Sequence, residues 1–246
     1  MKRLVLFLMV IGMTTTVAFS QKTEIRKVSD FTGINASGVF DITVAKGSTE
    51  SLTIVADDDV MPYVKSEVKN GVLNLYISNE RQIKNIKTLK ATIVMKNLDN
   101  VTLSGACKLT TTDLFTPVNF KADCSGASKM DVNLNTGQLS VEASGAAKIK
   151  GELKASNVTL EASGACVIEL TGSATDMKMN ASGTAKIYAE NFIVKTASVE
   201  ASGVCNVTVN ATDALKINSS GVSSVNYKGS PSLDASNSGM AKVNKI

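Results

Sequence analysis

Histidine and tryptophan are absent from this 246-residue sequence, and aromatic residues make up only 4% of it. Without histidine, the chain cannot form a Ser-His-Asp or Cys-His catalytic arrangement. Zinc sites with mixed cysteine and histidine ligands are excluded for the same reason. A core with so few rings must be built from Val, Ile, Leu, Met and Ala, which favours thin, regular layers.

A strong excess of basic residues is also missing. Lys and Arg total 26, Asp and Glu total 22, and the formal net charge is +4. Nucleic-acid-binding proteins usually combine a basic patch with stacking aromatic residues, and the sequence has neither. We therefore expect no nucleic-acid partner, and since no cofactor motif is present, we also expect no cofactor.

Residues 1–20 have the pattern of a secretory signal peptide. Lys2 and Arg3 form a positive start, an apolar run covers residues 4–11, and Ala18-Phe19-Ser20 fits a small-x-small cleavage site. The apolar run is too short to span a bilayer, and no later stretch has the pattern of a membrane-spanning helix. The sequence therefore predicts export to the periplasm or the cell surface, with a mature chain of residues 21–246. No sorting domain is evident after the last repeat, which favours the periplasm.

Ser-Gly pairs recur along the chain. Eight of them lie between Ser104 and Gly239 with a mean period of about 19 residues, and an earlier copy is Ser37-Gly38. Glycine adopts positive φ without a Cβ clash, so each pair is predicted to form a tight structural turn. The nine turn glycines are Gly38, Gly105, Gly126, Gly145, Gly164, Gly183, Gly203, Gly221 and Gly239.

The residues around each pair alternate between apolar and polar, which is typical of strands with one buried face. In segment 141–149, Glu142 and Lys148 occupy even positions, whereas the odd positions are apolar or glycine. Two positions after the glycine every residue is small, and four positions after it every residue is apolar. Each repeat is therefore predicted to be one coil of an all-β parallel β-helix, with coils about 4.8 Å apart.

Residues 21–100 are less regular than residues 101–246. Segments 40–44 and 72–77 are predicted strands, and segment 57–65 is predicted to contain a short helical turn near Pro62. We interpret residues 21–100 as wider coils of the same sheet system. A small separate domain ending near residue 100 is the alternative.

The segment GINASGVFDI at residues 33–42, followed by the Ser-Gly array, resembles the auto-transporter adhesin, head GIN domain family of Bacteroidetes. The resemblance covers essentially the whole mature chain. It implies a right-handed parallel β-helix similar in shape to pectin-lyase-like proteins, without catalytic residues and with a role in cell adhesion.

Three groups of side chains are candidates for chemistry or binding. The acidic run 57–59 could bind Ca²⁺, although a solvated turn is the favoured interpretation. Glu142, Glu161 and Glu200 share one column, continued by Asn180, and adjacent members could act as paired carboxylates. We expect this column to be a solvated, flat face without a pocket.

The third group is a column of lysines beyond the turns, and it could contact an acidic polysaccharide or an envelope surface. Alternatively, these lysines only provide solubility and protect the sheet against association with other sheets. The candidate binding column consists of Lys108, Lys129, Lys148, Lys186 and Lys242.

Four cysteines in an exported protein suggest disulfide bonds. Cys166 and Cys205 lie two coils apart, which exceeds the Cα distance that a disulfide bridges, so we predict that both are free and buried. A disulfide between Cys107 and Cys124 remains open.

The sequence favours a non-enzymatic, exported, adhesin-like protein that presents flat β-faces to a glycan or a cell-surface partner, alone or as a homo-oligomer. One alternative is a carbohydrate-active enzyme on a pectin-lyase-like β-helix. Another is a structural envelope protein that self-assembles through the ends of its coils.

Overall fold

The computed structural model of the protein describes residues 20–79 and 85–246. Apart from Ser20, the predicted signal peptide lies outside these residues. The described residues form 18 β-strands and one 3₁₀ turn, Met61–Tyr63, without an α-helix. The first nine strands are Gln21–Arg26 (β1), Gly33–Gly38 (β2), Asp41–Lys46 (β3), Ser51–Asp57 (β4), Val64–Lys69 (β5), Val72–Ile77 (β6), Leu89–Met95 (β7), Asn100–Gly105 (β8) and Lys108–Thr111 (β9).

The remaining strands include five long ones, each of which begins after one Ser-Gly turn and ends before the next. They are Asn119–Cys124 (β10), Lys129–Ala143 (β11), Lys148–Ala162 (β12), Val167–Ala181 (β13), Lys186–Ala201 (β14), Asn206–Ser219 (β15), Ser224–Lys228 (β16), Ser232–Asn237 (β17) and Lys242–Lys245 (β18). Each long strand bends near its middle. In β11 the alternation of buried and exposed side chains breaks at Gly137, where the chain passes from one face of the coil to the other.

The predicted parallel β-helix is confirmed. Successive long strands pair in parallel, so that Ile149 of β12 lies between Met130 of β11 and Ile168 of β13. The structure forms about eight turns at roughly 19-residue spacing. Equivalent residues therefore stack in columns, and the column four residues after each turn glycine is buried from Leu109 to Val225.

The strands form two faces that enclose one hydrophobic core. Face A consists of the strands that lead into the Ser-Gly turns, in the spatial order β5, β6, β2, β8, β10, the second halves of β11 to β15, and β17. Face B consists of the strands that follow the turns, in the order β1, β4, β7, β3, β9, the first halves of β11 to β15, β16 and β18. The outer surface of each face is available to solvent.

Coils differ slightly in length, and the extra or missing residues change the strand register at positions outside the Ser-Gly turns. The register between β13 and β14 shifts between Glu169 and Thr171, and the register between β14 and β15 shifts after Ala189. The core also contains aromatic rings, because five phenylalanines are fully or almost fully buried: Phe31, Phe40, Phe115, Phe120 and Phe192. The expectation of a purely aliphatic core was therefore wrong at these positions.

The first hundred residues share the ladder of the repeats. β2 pairs in parallel with β8, so that Ser37-Gly38 lies directly beside Ser104-Gly105. The predicted strand 72–77 coincides with β6, and the predicted strand 40–44 corresponds to β3. The predicted helical turn near Pro62 corresponds to the 3₁₀ turn Met61–Tyr63.

Antiparallel strands close the N-terminal end of the solenoid. β1 and β4 extend face B, and β5 extends face A, all by antiparallel pairing. Arg26 of β1 reaches across this end and donates hydrogen bonds to Val64 O (3.0 Å) and Ser66 Oγ (3.1 Å) of β5. The buried Met61 lies in the segment that joins the two faces, so this end of the core is covered by protein.

Candidate functional site

The turn glycines form a continuous stack along one edge of the solenoid. All nine have positive φ values, between 70° and 107°. The carbonyl of each of the first eight accepts a hydrogen bond from the N–H that follows the next glycine, for example from Ala165 N to Gly145 O at 2.7 Å and from Thr184 N to Gly164 O at 2.8 Å. This ladder holds the turns in strict register, so the residues beside each turn also align in rows.

A groove of about 770 Å³ runs along this edge on the side of face A. One wall is a row of acidic and amide side chains, three residues before each glycine, and the opposite wall is a row of serines, immediately before each glycine. The floor lies between them, at positions whose small side chains face the core. We call this feature the serine groove. Its acidic and amide wall is Asp123, Glu142, Glu161, Asn180, Glu200 and Asn218, and its serine wall is Ser144, Ser163, Ser182, Ser202, Ser220 and Ser238.

Several polar groups of the groove have unused hydrogen-bonding capacity. Within the described part of the chain, the hydroxyl groups of Ser144, Ser163 and Ser202 make no side-chain hydrogen bond, in contrast to Ser182, whose Oγ donates to Ala162 O at 3.4 Å. The side-chain oxygen of Asn180 is buried and has no hydrogen-bond partner there either. The groove therefore offers repeated donors and acceptors to a ligand.

The expectation of a flat face without a pocket at this column was wrong. Glu142, Glu161, Asn180 and Glu200 are in register across β11 to β14, as predicted, but they form one wall of the groove. Alternation along a strand shows which side chains point outward. It does not show how far neighbouring rows of side chains project from the sheet, and this difference makes the groove. The available signal was the small residue between the two polar rows, alanine in four successive coils at 143, 162, 181 and 201.

The five lysines of the candidate binding column align on face B. The first three are adjacent in register, Val167 then interrupts the column, and two further coils carry Asn206 and Ser224 in place of lysine. The column is therefore continuous only at its N-terminal part. In coil order, the lysines are Lys108, Lys129, Lys148, Lys186 and Lys242.

Acidic neighbours partly neutralise the lysine column. Lys148 Nζ lies 3.0 Å from Glu169 Oε1, and Lys150 Nζ lies 2.8 Å from Glu169 Oε2. The hydrogen bonds from Lys150 and Lys148 lower the pKa of Glu169. Lys108 Nζ lies 3.6 Å from Asp41 Oδ1. The lysines thus belong to a surface of mixed charge.

The acidic run 57–59 divides into one buried and two exposed residues. Asp57 is 6% exposed, and its Oδ2 accepts hydrogen bonds from the backbone N–H groups of Lys87 (2.8 Å) and Thr88 (3.0 Å). These bonds lower the pKa of the Asp57 carboxyl. Asp58 and Asp59 are exposed. The interpretation as a solvated turn was therefore wrong for Asp57, whose side chain hydrogen-bonds to the backbone of the loop before β7.

The cysteines are four free, buried thiols. The prediction that Cys166 and Cys205 are free is confirmed, and the structure contains no disulfide between Cys107 and Cys124. Cys166 Sγ donates to Ser163 O at 3.0 Å, and Cys205 Sγ makes the equivalent bond to Ser202 O at 3.1 Å. Ser223 Oγ does the same to Ser220 O at 2.8 Å, so this small side chain closes the turn in three different coils.

We expect the native protein to resist thiol reagents. Burial raises the pKa of Cys107 and Cys166, and raises that of Cys124 to about 12, and the thiolate is the reactive species. Ellman's reagent should therefore label almost no thiol in the folded protein and four thiols per chain after unfolding in urea. Fewer than four in urea without reductant, or rapid labelling before urea is added, would contradict the buried, free state.

Within residues 20–79 and 85–246, no helix has the length and hydrophobicity needed to cross a membrane. Residues 30–231 match the family described as "Putative auto-transporter adhesin, head GIN domain". A comparison with curated proteins finds no match.

Three solved structures from Parabacteroides share the fold. A putative adhesin from P. merdae is 22% identical, with a TM-score of 0.83 over 92% of this chain and 96% of its own. A putative adhesin from P. distasonis is 20% identical, with a TM-score of 0.86 over 93% and 98%. A protein from P. distasonis described as a putative lipid binding protein is 22% identical, with a TM-score of 0.81 over 92% and 96%.

Proposed function

Because the chain belongs to the auto-transporter adhesin, head GIN domain family, we propose that it is a non-enzymatic, exported, adhesin-like protein that binds an extended glycan lengthwise in the serine groove. The family and the similar structures are described as adhesins or as a lipid-binding protein. The absence of histidine removes the Ser-His-Asp and Cys-His nucleophilic arrangements. Binding is the function that these descriptions support.

The groove itself is the observation that carries the proposal. Its volume of about 770 Å³ is comparable to a ligand pocket, but its polar groups repeat once per coil along the axis. A repetitive site matches a repetitive ligand, because equivalent groups of the ligand then meet equivalent groups of the protein at regular intervals. A hexose in an extended polysaccharide advances by nearly the same distance as one coil, which is about 4.8 Å.

Many weak contacts along the groove would add up to useful affinity. A single neutral hydrogen bond contributes only about 0.5 to 1.5 kcal/mol, and an exposed polar site with one such bond does not hold a sugar. Linked monomers convert later contacts into intramolecular ones. We therefore expect affinity to rise with glycan length until the chain covers the groove.

A substitution that fills the groove tests the proposal. The mature protein, its Ser163→Tyr variant and its Ala165→Tyr variant would be applied to a glycan array at low and high salt. Ser163 lines the groove, whereas Ala165 is exposed on the other side of the same turn glycine, so the two variants differ only in where the ring projects. We expect the first variant to bind at least tenfold more weakly, about 1.4 kcal/mol, and the second to bind like the unmodified protein.

Three outcomes would contradict the groove proposal. Equal binding by both tyrosine variants would place the glycan elsewhere. Loss of binding to acidic glycans in Lys129→Gln alone would identify the lysine column as the binding surface. Binding to phospholipid vesicles without binding to any glycan would favour the activity for which one of the similar structures is named.

A further inference from the structure

We infer that the serine groove selects cationic glycans, that is, extended polymers of amino sugars with free amino groups. The inference rests on the proposed function, because it assumes that the groove holds a glycan, and it adds the chemical class. It depends on the sign of the charges in the groove, on their pairing and on their spacing.

All charged side chains among the described residues that line the groove are acidic. They are Asp123, Glu142, Glu161 and Glu200. Glu142 Oε1 lies 2.8 Å from Lys121 Nζ. Asp123, Glu161 and Glu200 form no ion pair within the described residues. Lys121 also attracts Asp123 and Glu161 at longer range, but no cation among the described residues is in direct contact with either carboxylate or with Glu200. An acidic glycan would therefore be repelled, whereas a protonated amine would meet carboxylates that are not held in a salt bridge.

The parallel register places these carboxylates close to one another. Glu142 pairs with Glu161 in adjacent coils, which are about 4.8 Å apart. Like charges at this separation repel one another, and a cation between them relieves the repulsion. A protonated amine between Glu142 and Glu161 would thus be favoured, and the free hydroxyls of Ser144 and Ser163 on the opposite wall would hydrogen-bond to the sugar ring.

The spacing favours a polysaccharide over a cationic peptide. Side chains on one face of an extended peptide repeat every two residues, about 6.6 Å, which is out of phase with one coil. A β-1,4-linked sugar polymer advances by nearly one coil per monomer, and because successive monomers face opposite ways, its amino groups face one side at every second coil. Asp123, Glu161 and Glu200 have this two-coil spacing. Asn180 and Asn218 interrupt the acidic row, and their amides would accept or donate hydrogen bonds where a monomer carries an acetylated nitrogen or a hydroxyl. A partially acetylated polymer therefore fits this pattern.

The test compares oligosaccharides of one length and different charge. A fully de-N-acetylated β-1,4-glucosamine oligomer, its N-acetylated counterpart and an oligogalacturonate would be titrated into the mature protein by calorimetry at low and high salt. We expect the amine-bearing oligomer to bind at least tenfold more tightly than the neutral one, with a preference that falls as salt rises, and the acidic one to bind most weakly.

Matched double variants assign the preference to the groove. Glu161→Gln with Glu200→Gln should reduce the preference for the amine by a factor of about 2 to 25, because each exposed ion pair contributes a factor of about 1.4 to 5. Binding of the neutral oligomer should be retained. Glu152→Gln with Glu190→Gln is the control, since both residues are exposed and neither lines the groove.

Each contrary outcome has its own meaning. Equal affinity for the amine-bearing and neutral oligomers would overturn this inference and leave the proposed function standing. Failure of all three oligomers and of longer polymers to bind would overturn both. If oligolysine bound as tightly and lost affinity equally in the Glu161, Glu200 variant, the selection would be for charge alone and the inference of an amino-sugar ligand would be overturned.

Discussion

Replacing Gly164 by alanine is expected to lower the free energy of unfolding by about 2 to 5 kcal/mol. Two costs combine at this position. The φ of Gly164 is 87°, a conformation that costs an L-residue about 1 to 2 kcal/mol. An added Cβ would also lie 2.6 Å from Gly145 O and 3.0 Å from Gly145 N of the preceding coil, and such overpacking typically costs a further 1 to 3 kcal/mol, roughly.

Gly71 provides a matched control for this substitution. Its φ is 73°, but an added Cβ would meet no atom within 4 Å. Gly71→Ala should therefore show only the conformational cost, about 1 to 2 kcal/mol. Urea unfolding followed by far-UV circular dichroism would compare the two variants with Lys148→Ala, which should be almost neutral. Equal losses for Gly164→Ala and Gly71→Ala would show that stacking of the turns contributes no steric constraint.

Replacing Asp57 by alanine is expected to lower the free energy of unfolding by about 2 to 4 kcal/mol. The substitution removes two hydrogen bonds to a charged acceptor, each of which contributes about 1.5 to 3 kcal/mol. Water can replace part of this contribution at the exposed Lys87. The backbone N–H groups of Lys87 and Thr88 would lose their partner. Asp57→Asn keeps an acceptor and should cost less. Urea unfolding measures both variants, and an Asp57→Ala loss below that of Asp57→Asn would contradict the role assigned to the carboxylate.

The Asp57 carboxylate also makes stability depend on pH. Hydrogen bonding to Thr88 N–H, and next to Lys87 N–H, lowers its pKa below the ordinary value of 3.8. The carboxylate is therefore favoured in the folded state, and its contribution is fully present above pH 3.8 and is lost as the pH falls through the folded pKa. Between about pH 6 and about pH 2, the unmodified protein should lose more stability than Asp57→Asn. Parallel pH profiles would contradict this assignment.

The coil and its register could be predicted from sequence because each repeat contains the same local information. The Ser-Gly step specifies the turn, and the alternation around it specifies which side chains are buried. Positions that align in sequence, such as Met130, Ile149 and Ile168, therefore align in space. The same reasoning placed the lysines in one column, although their binding role stays a prediction.

The N-terminal closure and the groove could not be predicted in the same way. Alternation is the same in parallel and antiparallel strands, so it did not show that β1, β4 and β5 run antiparallel to their neighbours. Alternation also does not specify the depth of the groove, for which the alanine between the two polar rows was the one sequence signal. Buried Asp57 was missed because its partners are backbone groups thirty residues away.

Each coil tolerates changes in length between its turns that the turns themselves do not. Register shifts occur after Glu169, Ala189 and Val194, outside the glycine stack, and the rows beside the turns remain aligned. Insertions at these positions would therefore leave the serine groove intact, and duplication of a whole coil would extend it by one step. Such a molecule can lengthen or shorten during evolution by adding or losing coils, as other repeat proteins do, without a change in the residue types that line the serine groove.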